Sequence, residues 1–271
     1  MVIEFIDIFP NGIVAVAAPV IMILIILILI FEFYKKFFNN SNYKILSKRN
    51  ITDNAFELTI KCNQTIKSCE HIAIHFKDSF RKYTPINYQN NIITLRIKKY
   101  NGGVISNYLY NLNPNDFVKL SITGQKYLAD SKTFINNTNK LYIPDYNHII
   151  LIASGSGITP IYSLLKQIVN NNYKITVITC DKYIKDEMCP EINLFNKIER
   201  IRCLSQENTN IIDKIPGRIF FSRLTKNVFK SILPSPHIKN AVVFICGSPS
   251  FSQSTQKMCK ELLQNPTVVI F

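Results

Sequence analysis

The side chains best suited to chemistry fall first in two short runs. Arg81-Lys82-Tyr83-Thr84-Pro85 puts a fixed cation, a flat phenol, a hydroxyl and a rigid proline on one extended segment. Two-residue alternation sends Arg81 and Tyr83 to one face and Lys82 and Thr84 to the other. Further on, Gly102-Gly103-Val104-Ile105-Ser106 leads into Ile105, Tyr108, Leu109 and Leu112, an apolar stripe at helical spacing. A helix that starts after a glycine pair offers free backbone N–H groups and a positive dipole end, which suit phosphate. Together the runs suit a ligand with a flat ring at one end and a pyrophosphate at the other.

Two later runs extend the pattern, Gly155-Ser156-Gly157-Ile158-Thr159-Pro160 and Cys246-Gly247-Ser248-Pro249. The first is not the full dinucleotide fingerprint, because Pro160 stands where a third glycine belongs. All four runs resemble motifs of the NADH-cytochrome b5 reductases, within the ferredoxin-reductase-like flavoproteins. Those motifs read Arg-X-Tyr-Thr-Pro, Gly-Gly-Lys-Met-Ser, Gly-X-Gly-Ile-Thr-Pro and Cys-Gly-Pro-Pro. They occur here in the same order, across residues 55–271.

The resemblance implies FAD and NADH as cofactors. It puts Arg81 at the flavin pyrophosphate, with Lys82 beside it, and Tyr83 along the isoalloxazine–ribityl portion, while Thr84 reaches the ring edge. Gly103, Val104, Ile105 and Ser106 would hold phosphate through backbone and hydroxyl groups. Arg96 and Lys98 occupy the place of a family strand whose lysine lies near both nucleotides. Read as residues alone, Arg96 fits a solvated strand face equally well. Gly155, Ser156 and Gly157 would let backbone approach the nicotinamide nucleotide, with Thr159 bonding a flavin or nicotinamide edge. Cys246, Gly247, Ser248 and Pro249 would wall the nicotinamide site. Hydride transfer needs no side-chain acid or base, so Thr84, Thr159 and Cys246 are expected only to position the reacting groups. His71 aligns with a family histidine and is expected behind the site or in the core. Three departures bear on flavin affinity. Val104 replaces the usual lysine, the loop between Tyr100 and Gly102 is short, and Ser121-Ile122-Thr123 replaces an Arg-Gly-Pro.

The elements that must position these residues are expected in three parts. Residues 1–38 form a membrane anchor, because 12–31 are uncharged and almost wholly apolar. About twenty residues at 1.5 Å each span roughly 30 Å, one bilayer core. Lys35 and Lys36 follow, which puts the remainder on the cytosolic side. Residues 39–140 form an antiparallel FAD-binding barrel, opening on a polar linker over 39–54. Its strands are expected at 56–60, 71–76, 92–97 and 117–122, with a helix over 102–111 and a boundary loop over 129–140. Residues 141–271 form a Rossmann-like domain with a parallel sheet, with strands at 148–153, 175–179, 198–204 and 241–246. Thr159 caps a helix opening at Pro160. The fold class is thus an antiparallel barrel followed by a parallel α/β domain, behind a transmembrane helix.

Net charge is +14. The lysines are scattered and no basic–aromatic interleaving appears, so nucleic acid is not an expected partner. A basic face suits an acidic protein partner or anionic lipid; the resemblance implies that the partner is a haem protein such as cytochrome b5. Seven cysteines without a Cys-X-X-Cys pair argue against a disulfide framework or metal cluster. His71 and His75, four apart, lie in a strand-like alternation and form no zinc pair. The expected activity is NADH oxidation through FAD with single-electron delivery to cytochrome b5 at the endoplasmic reticulum, or else the outer mitochondrial membrane. An NADPH-dependent reductase for another acceptor and a non-catalytic membrane-tethered binding module are the alternatives.

Overall fold

The computed structural model describes residues 22–29, 41–210, 216–233, 238 and 240–271. The chain divides into two units, 1–41 and 42–271. In the first, residues 22–29 are helical with every side chain exposed. The rest of the expected 12–31 span lies outside the described residues, and among those described no helix is long and apolar enough to cross a membrane.

The second unit begins with seven antiparallel strands. They are β1 (Ser41–Thr52), β2 (Ala55–Lys61), β3 (Ile72–Phe76), β4 (Ser79–Tyr83), β5 (Asn87–Gln89), β6 (Ile92–Lys98) and β7 (Phe117–Ile122), with helix α1 (Val104–Asn111) between the last two. Their order in the sheet is β4-β3-β7-β1-β2-β6-β5. Alternation sets the register. Phe56, Leu58 and Ile60 lie opposite Ile97, Leu95 and Ile93, and all six are buried. A one-residue slip would turn that set out to water. The two edge strands, β4 and β5, are consecutive in the chain, and only residues 84–86 join them. Four residue steps reach about 13 Å, so the sheet must curl until its edges nearly meet. Pro85, which has no N–H to leave unpaired, sits at that seam.

Two expected loops are strands. The 39–54 segment is mostly β1, because Tyr43 and Ile45 point into the core while polar neighbours face out. Pairing with β2 overrides its low apolar content. The 129–140 segment holds β9 (Thr133–Asn136) and the start of β10 (Asn139–Tyr142), which form a small sheet with the preceding β8 (Lys126–Leu128). Its tight turn uses Asn137 in the left-handed region, φ 55°, a role asparagine fills in place of glycine.

The remaining strands are parallel: β11 (His148–Ser154), β12 (Lys174–Asp181), β13 (Ile198–Leu204), β14 (Arg218–Phe220), β15 (Ala241–Cys246) and β16 (Thr267–Ile270), in the order β14-β13-β12-β11-β15-β16. Helices α2 (Ile158–Ile168), α3 (Lys226–Ile232) and α4 (Pro249–Leu262) accompany them. The chain winds outward from β11 in one direction and returns to its other side with β15. The reversal makes the carboxyl ends of β11 and β15 a topological switch point, the usual ligand crevice of such sheets. Both later motif runs start there.

Cys69, Ile86, Leu128 and Phe134 of the antiparallel lobe belong to the same buried cluster as Ile161, Leu165, Val177 and Phe244 of the parallel lobe. Phe134 meets Phe244 and Phe271 edge-on, at centroid distances of 5.2 and 5.5 Å. Phe134→Ala is expected to cost about 3–5 kcal/mol, read as a lower urea midpoint with an unchanged m-value.

Candidate nucleotide cleft at the lobe junction

β4 delivers its motif to the junction at its carboxyl end. Arg81 and Lys82 are exposed, Tyr83 is half-buried against the sheet core, and Thr84 is buried. Burial pushes the Tyr83 phenol up to about 12, with Arg81 pulling the other way, so the ring is a neutral flat surface at physiological pH. Lys82 Nζ donates to Gln125 Oε1 at 3.4 Å. Thr84 Oγ1 and His71 Nδ1 share a 2.6 Å hydrogen bond, and the His71 ring lies 6.3 Å from that of Phe271. His71 therefore stands behind Thr84, as its alignment implies. Burial first, then Lys82 and Lys126, lower its pKa to about 4, so it is neutral at pH 7.

The two glycine runs present open helix starts. α1 begins after Gly103 and α2 after Gly157, and neither has a side-chain cap or an acidic residue in its first turn. By contrast α3 and α4 are closed by Thr225, which accepts from the Val228 N–H, and Ser248, which accepts from the Phe251 N–H. The helices without a side-chain cap are the ones whose loops carry the phosphate-type motifs; at α2 the Ile158 N–H already donates to the Gly155 carbonyl, so the amides that fit a pyrophosphate there belong to the glycine turn before the helix. Two of the glycines also meet packing needs of the lobe itself. A Cβ on Gly157 would overlap the Cys246 carbonyl, and one on Gly247 would lie 2.6 Å from the Phe251 ring. Gly155 takes a positive φ of 54° and starts a 3₁₀ turn that runs straight into α2. That turn moves the helix start upstream, so Gly157 and not Thr159 is the N-cap.

Several expected ligand groups are engaged otherwise. The Thr159 hydroxyl donates to the Ser156 carbonyl at 3.2 Å. The Ser106 hydroxyl donates to the Gly103 carbonyl and accepts from the Tyr100 N–H, both at 3.4 Å, so it braces the glycine loop. Val104 is 57% exposed at the mouth of α1 and Ile105 is buried beneath it. Ser156 Oγ meets Tyr100 Oη at 3.2 Å, a contact across the lobes. Cys246 is half-buried, and burial pushes its thiol up to about 12, so it is a neutral wall and not a nucleophile. Ser248 and Pro249 build the α4 start beside it.

Arg96 departs most from expectation. It is neither a solvated residue nor a cation aimed at a ligand, but a buried bridge between the lobes. Nε donates to Glu57 Oε2 at 3.0 Å, Nη1 to the Met188 carbonyl and Glu191 Oε2 at 2.7 Å each, and Nη2 to Glu191 Oε1 at 2.5 Å. Lys98 lies at 3.8 Å from Asp186, which also accepts from Asn54 Nδ2 at 2.9 Å. Spacing shows none of this, because each partner is distant in sequence. Lys126 and Phe271 also reach the junction without any motif to announce them.

The oxidoreductase FAD-binding domain family matches residues 42–125, and the oxidoreductase NAD-binding domain family matches 151–257. The chain therefore carries an oxidoreductase FAD-binding domain followed by an oxidoreductase NAD-binding domain. Its curated relatives include cytochrome b5 reductases. It is 29% identical over 190 residues to NADH-cytochrome b5 reductase 2 of Neurospora crassa, covering 66% of this chain and 50% of that protein. Against NADH-cytochrome b5 reductase 2 of Mycosarcoma maydis it is 31% identical over 183 residues, 64% of this chain and 47% of that one. The chain spans about half the length of these relatives. The cytochrome b5 reductase domain of Ulva prolifera nitrate reductase shares its fold, with a TM-score of 0.72 at 16% identity over 86% of this chain and 97% of that one.

Two outcomes test this geometry. Arg96→Met strips Glu191 of its partner and leaves Glu57 with Arg49 alone, and is expected to cost on the order of 3 kcal/mol, measured by urea unfolding. His71 has a lower pKa folded (about 4) than its ordinary 6.5. The unfolded chain therefore binds more protons in that window, so stability is full above about pH 6.5 and falls towards pH 4. His71→Asn should flatten part of that decline in melting temperature; His148, also lowered to about 4 by burial, supplies another part.

Proposed function

We propose that this chain takes a hydride from NADH and passes single electrons to cytochrome b5 or a similar small acidic haem protein. The observation that carries the reading is the pair of uncapped helix starts, one per lobe, at a junction the lobes share. Bound FAD supplies the conversion of a two-electron donor into single-electron steps. The chain's own residues do the holding. Backbone amides at 104–106 take the flavin pyrophosphate, with Arg81 as the nearby cation, and Tyr83 offers a flat apolar surface for the ring. Thr84, fixed by neutral His71, presents a hydroxyl at its edge. The turn at 155–157 takes the phosphates of NADH, and Cys246 with Gly247 forms the nicotinamide wall.

Asp181 favours NADH over NADPH. It ends β12, where an acidic residue suits a free ribose 2′-hydroxyl. Burial raises its pKa to about 6, which leaves the carboxylate ionised at neutral pH and repellent to a 2′-phosphate. A haem acceptor is supported by the relatives, which are NADH-cytochrome b5 reductases, and by the net charge of +14, which suits an acidic partner. Residues 12–31 would tether the enzyme to a membrane, with the two domains on the cytosolic side of the endoplasmic reticulum. The full chain, purified in detergent, is expected to be yellow, to hold FAD, and to reduce ferricyanide and cytochrome b5 with NADH at a kcat/KM well above that with NADPH. A colourless protein that takes up no added FAD would refute the reading.

A further inference from the structure

β8 brings one more side chain to the junction. Lys126 Nζ donates to the carbonyl oxygen of Ile270, the residue before Phe271, so a cation of the antiparallel lobe is held against the last strand of the parallel lobe. Its charge is felt at both the Cys246 thiol and the His71 ring, one on each side of the junction. The ammonium is half-buried, and burial lowers its pKa, as does Lys82. None of the ion pairs among the described residues reaches it. A partly desolvated ammonium whose hydrogen-bond partner among the described residues is one backbone carbonyl is under-compensated, so a negative charge arriving beside it is stabilised more than it would be in water. Lys126 is also the first cation after β7, downstream of Ser121-Ile122-Thr123, which carry none.

The reaction proposed above produces such a charge. A hydride carries two electrons and one proton, so the FAD side of the junction gains one negative charge when it arrives and the nicotinamide side gains one positive. We propose that Lys126 is the charge-positioning residue of this junction, its ammonium stabilising the negative charge on the flavin side and so raising the flavin's reduction potential. The inference rests on the reading of the chain as an NADH-dependent flavoprotein.

Three substitutions in the full-length protein separate charge from the strap to Ile270. Lys126→Gln keeps a donor for the Ile270 carbonyl and removes the charge, Lys126→Met removes both, and Lys126→Arg keeps both. The readouts are the midpoint potential of bound FAD by spectroelectrochemistry and the anaerobic rate of flavin reduction by NADH. Gln and Met are expected to retain FAD, lower the potential by the equivalent of a tenfold shift, about 30 mV for a two-electron couple, and slow reduction about tenfold, while Arg restores both. Potentials unchanged in Gln and Met overturn the proposal. So does a Gln variant that behaves as wild type while Met fails or loses FAD, since the lysine would then be a strap only. A wild-type protein that binds no FAD removes the functional reading and this inference together, whereas a yellow, NADH-reducible wild type with unshifted variants removes this inference alone.

Discussion

Cys69, Ile86 and Phe134 of the antiparallel lobe are buried against Ile161, Leu165 and Phe244 of the parallel lobe, and this apolar seam holds the lobes where Ser156 of one glycine loop meets Tyr100 beside the other, 3.2 Å apart. Transfer between two bound nucleotides depends steeply on contact distance, so lobes that drifted apart would keep both ligands and lose the reaction. Apolar burial supplies adhesion without direction. Direction comes from the polar contacts that rim the seam. Arg96 places four N–H···O bonds on Glu57 of β2, the Met188 carbonyl and Glu191, and Ser68 Oγ donates to the Ser163 carbonyl at 3.0 Å. Such contacts fail if the lobes rotate by even a few ångströms, because a buried guanidinium without its carboxylates is far more costly than one that never left water.

A second group of buried ions shows the same logic inside the parallel lobe. Arg200 and Arg202 on β13 are both buried and both bond Glu187 in the loop after β12. Arg202 also donates to Asn193 Oδ1 at 2.5 Å and to the Pro216 carbonyl at 2.6 Å. These bonds pin the loops around the end of β12, where Asp181 and Asp186 stand. Asp186 in turn meets Asn54 and Lys98 of the other lobe. The loop that shapes the proposed adenosine end of the cleft is thereby tied to both sheets.

The strands with a clean apolar alternation were legible from residue order, because burial of one face leaves a period of two in β2, β3, β6 and β7. The parallel sheet was legible for a different reason: β11, β12 and β15 are buried on both faces and read as continuous aliphatic runs. β1 and the β9–β10 hairpin were not, since β1 buries Tyr43 and Ile45 and the hairpin only Phe134 among polar neighbours, and pairing with a neighbour rather than composition makes them strands. In the cleft, the two glycine runs coincide with the helix starts that have no side-chain cap, after Gly103 and Gly157. No such pattern marks Arg96 and Lys126. A charge is recognisable in sequence, but whether it points to a ligand, a carboxylate or a carbonyl depends on partners up to 144 positions away. Thr159 and Ser106 illustrate the converse: the motif singles them out, and in the first turns of α2 and α1 the local backbone takes their hydroxyls for itself.

What the junction lacks is as telling as what it holds. Tyr83 and Cys246 are raised to about 12, and His71 is lowered to about 4, each chiefly by burial. A general acid or base works best with a pKa near the working pH, and burial has driven all three groups away from it. Nucleophilic catalysis is likewise disfavoured, because a thiol held that far above neutrality supplies no thiolate. Hydride transfer makes no such demand, since the proton travels with its electrons and the surroundings need only hold two rings together and exclude side reactions. The same burial that disables acid–base chemistry also leaves fixed charge as the means by which the protein can tune the electron affinity of what it holds. The half-buried ammonium of Lys126 supplies such a charge at the point where the two lobes meet.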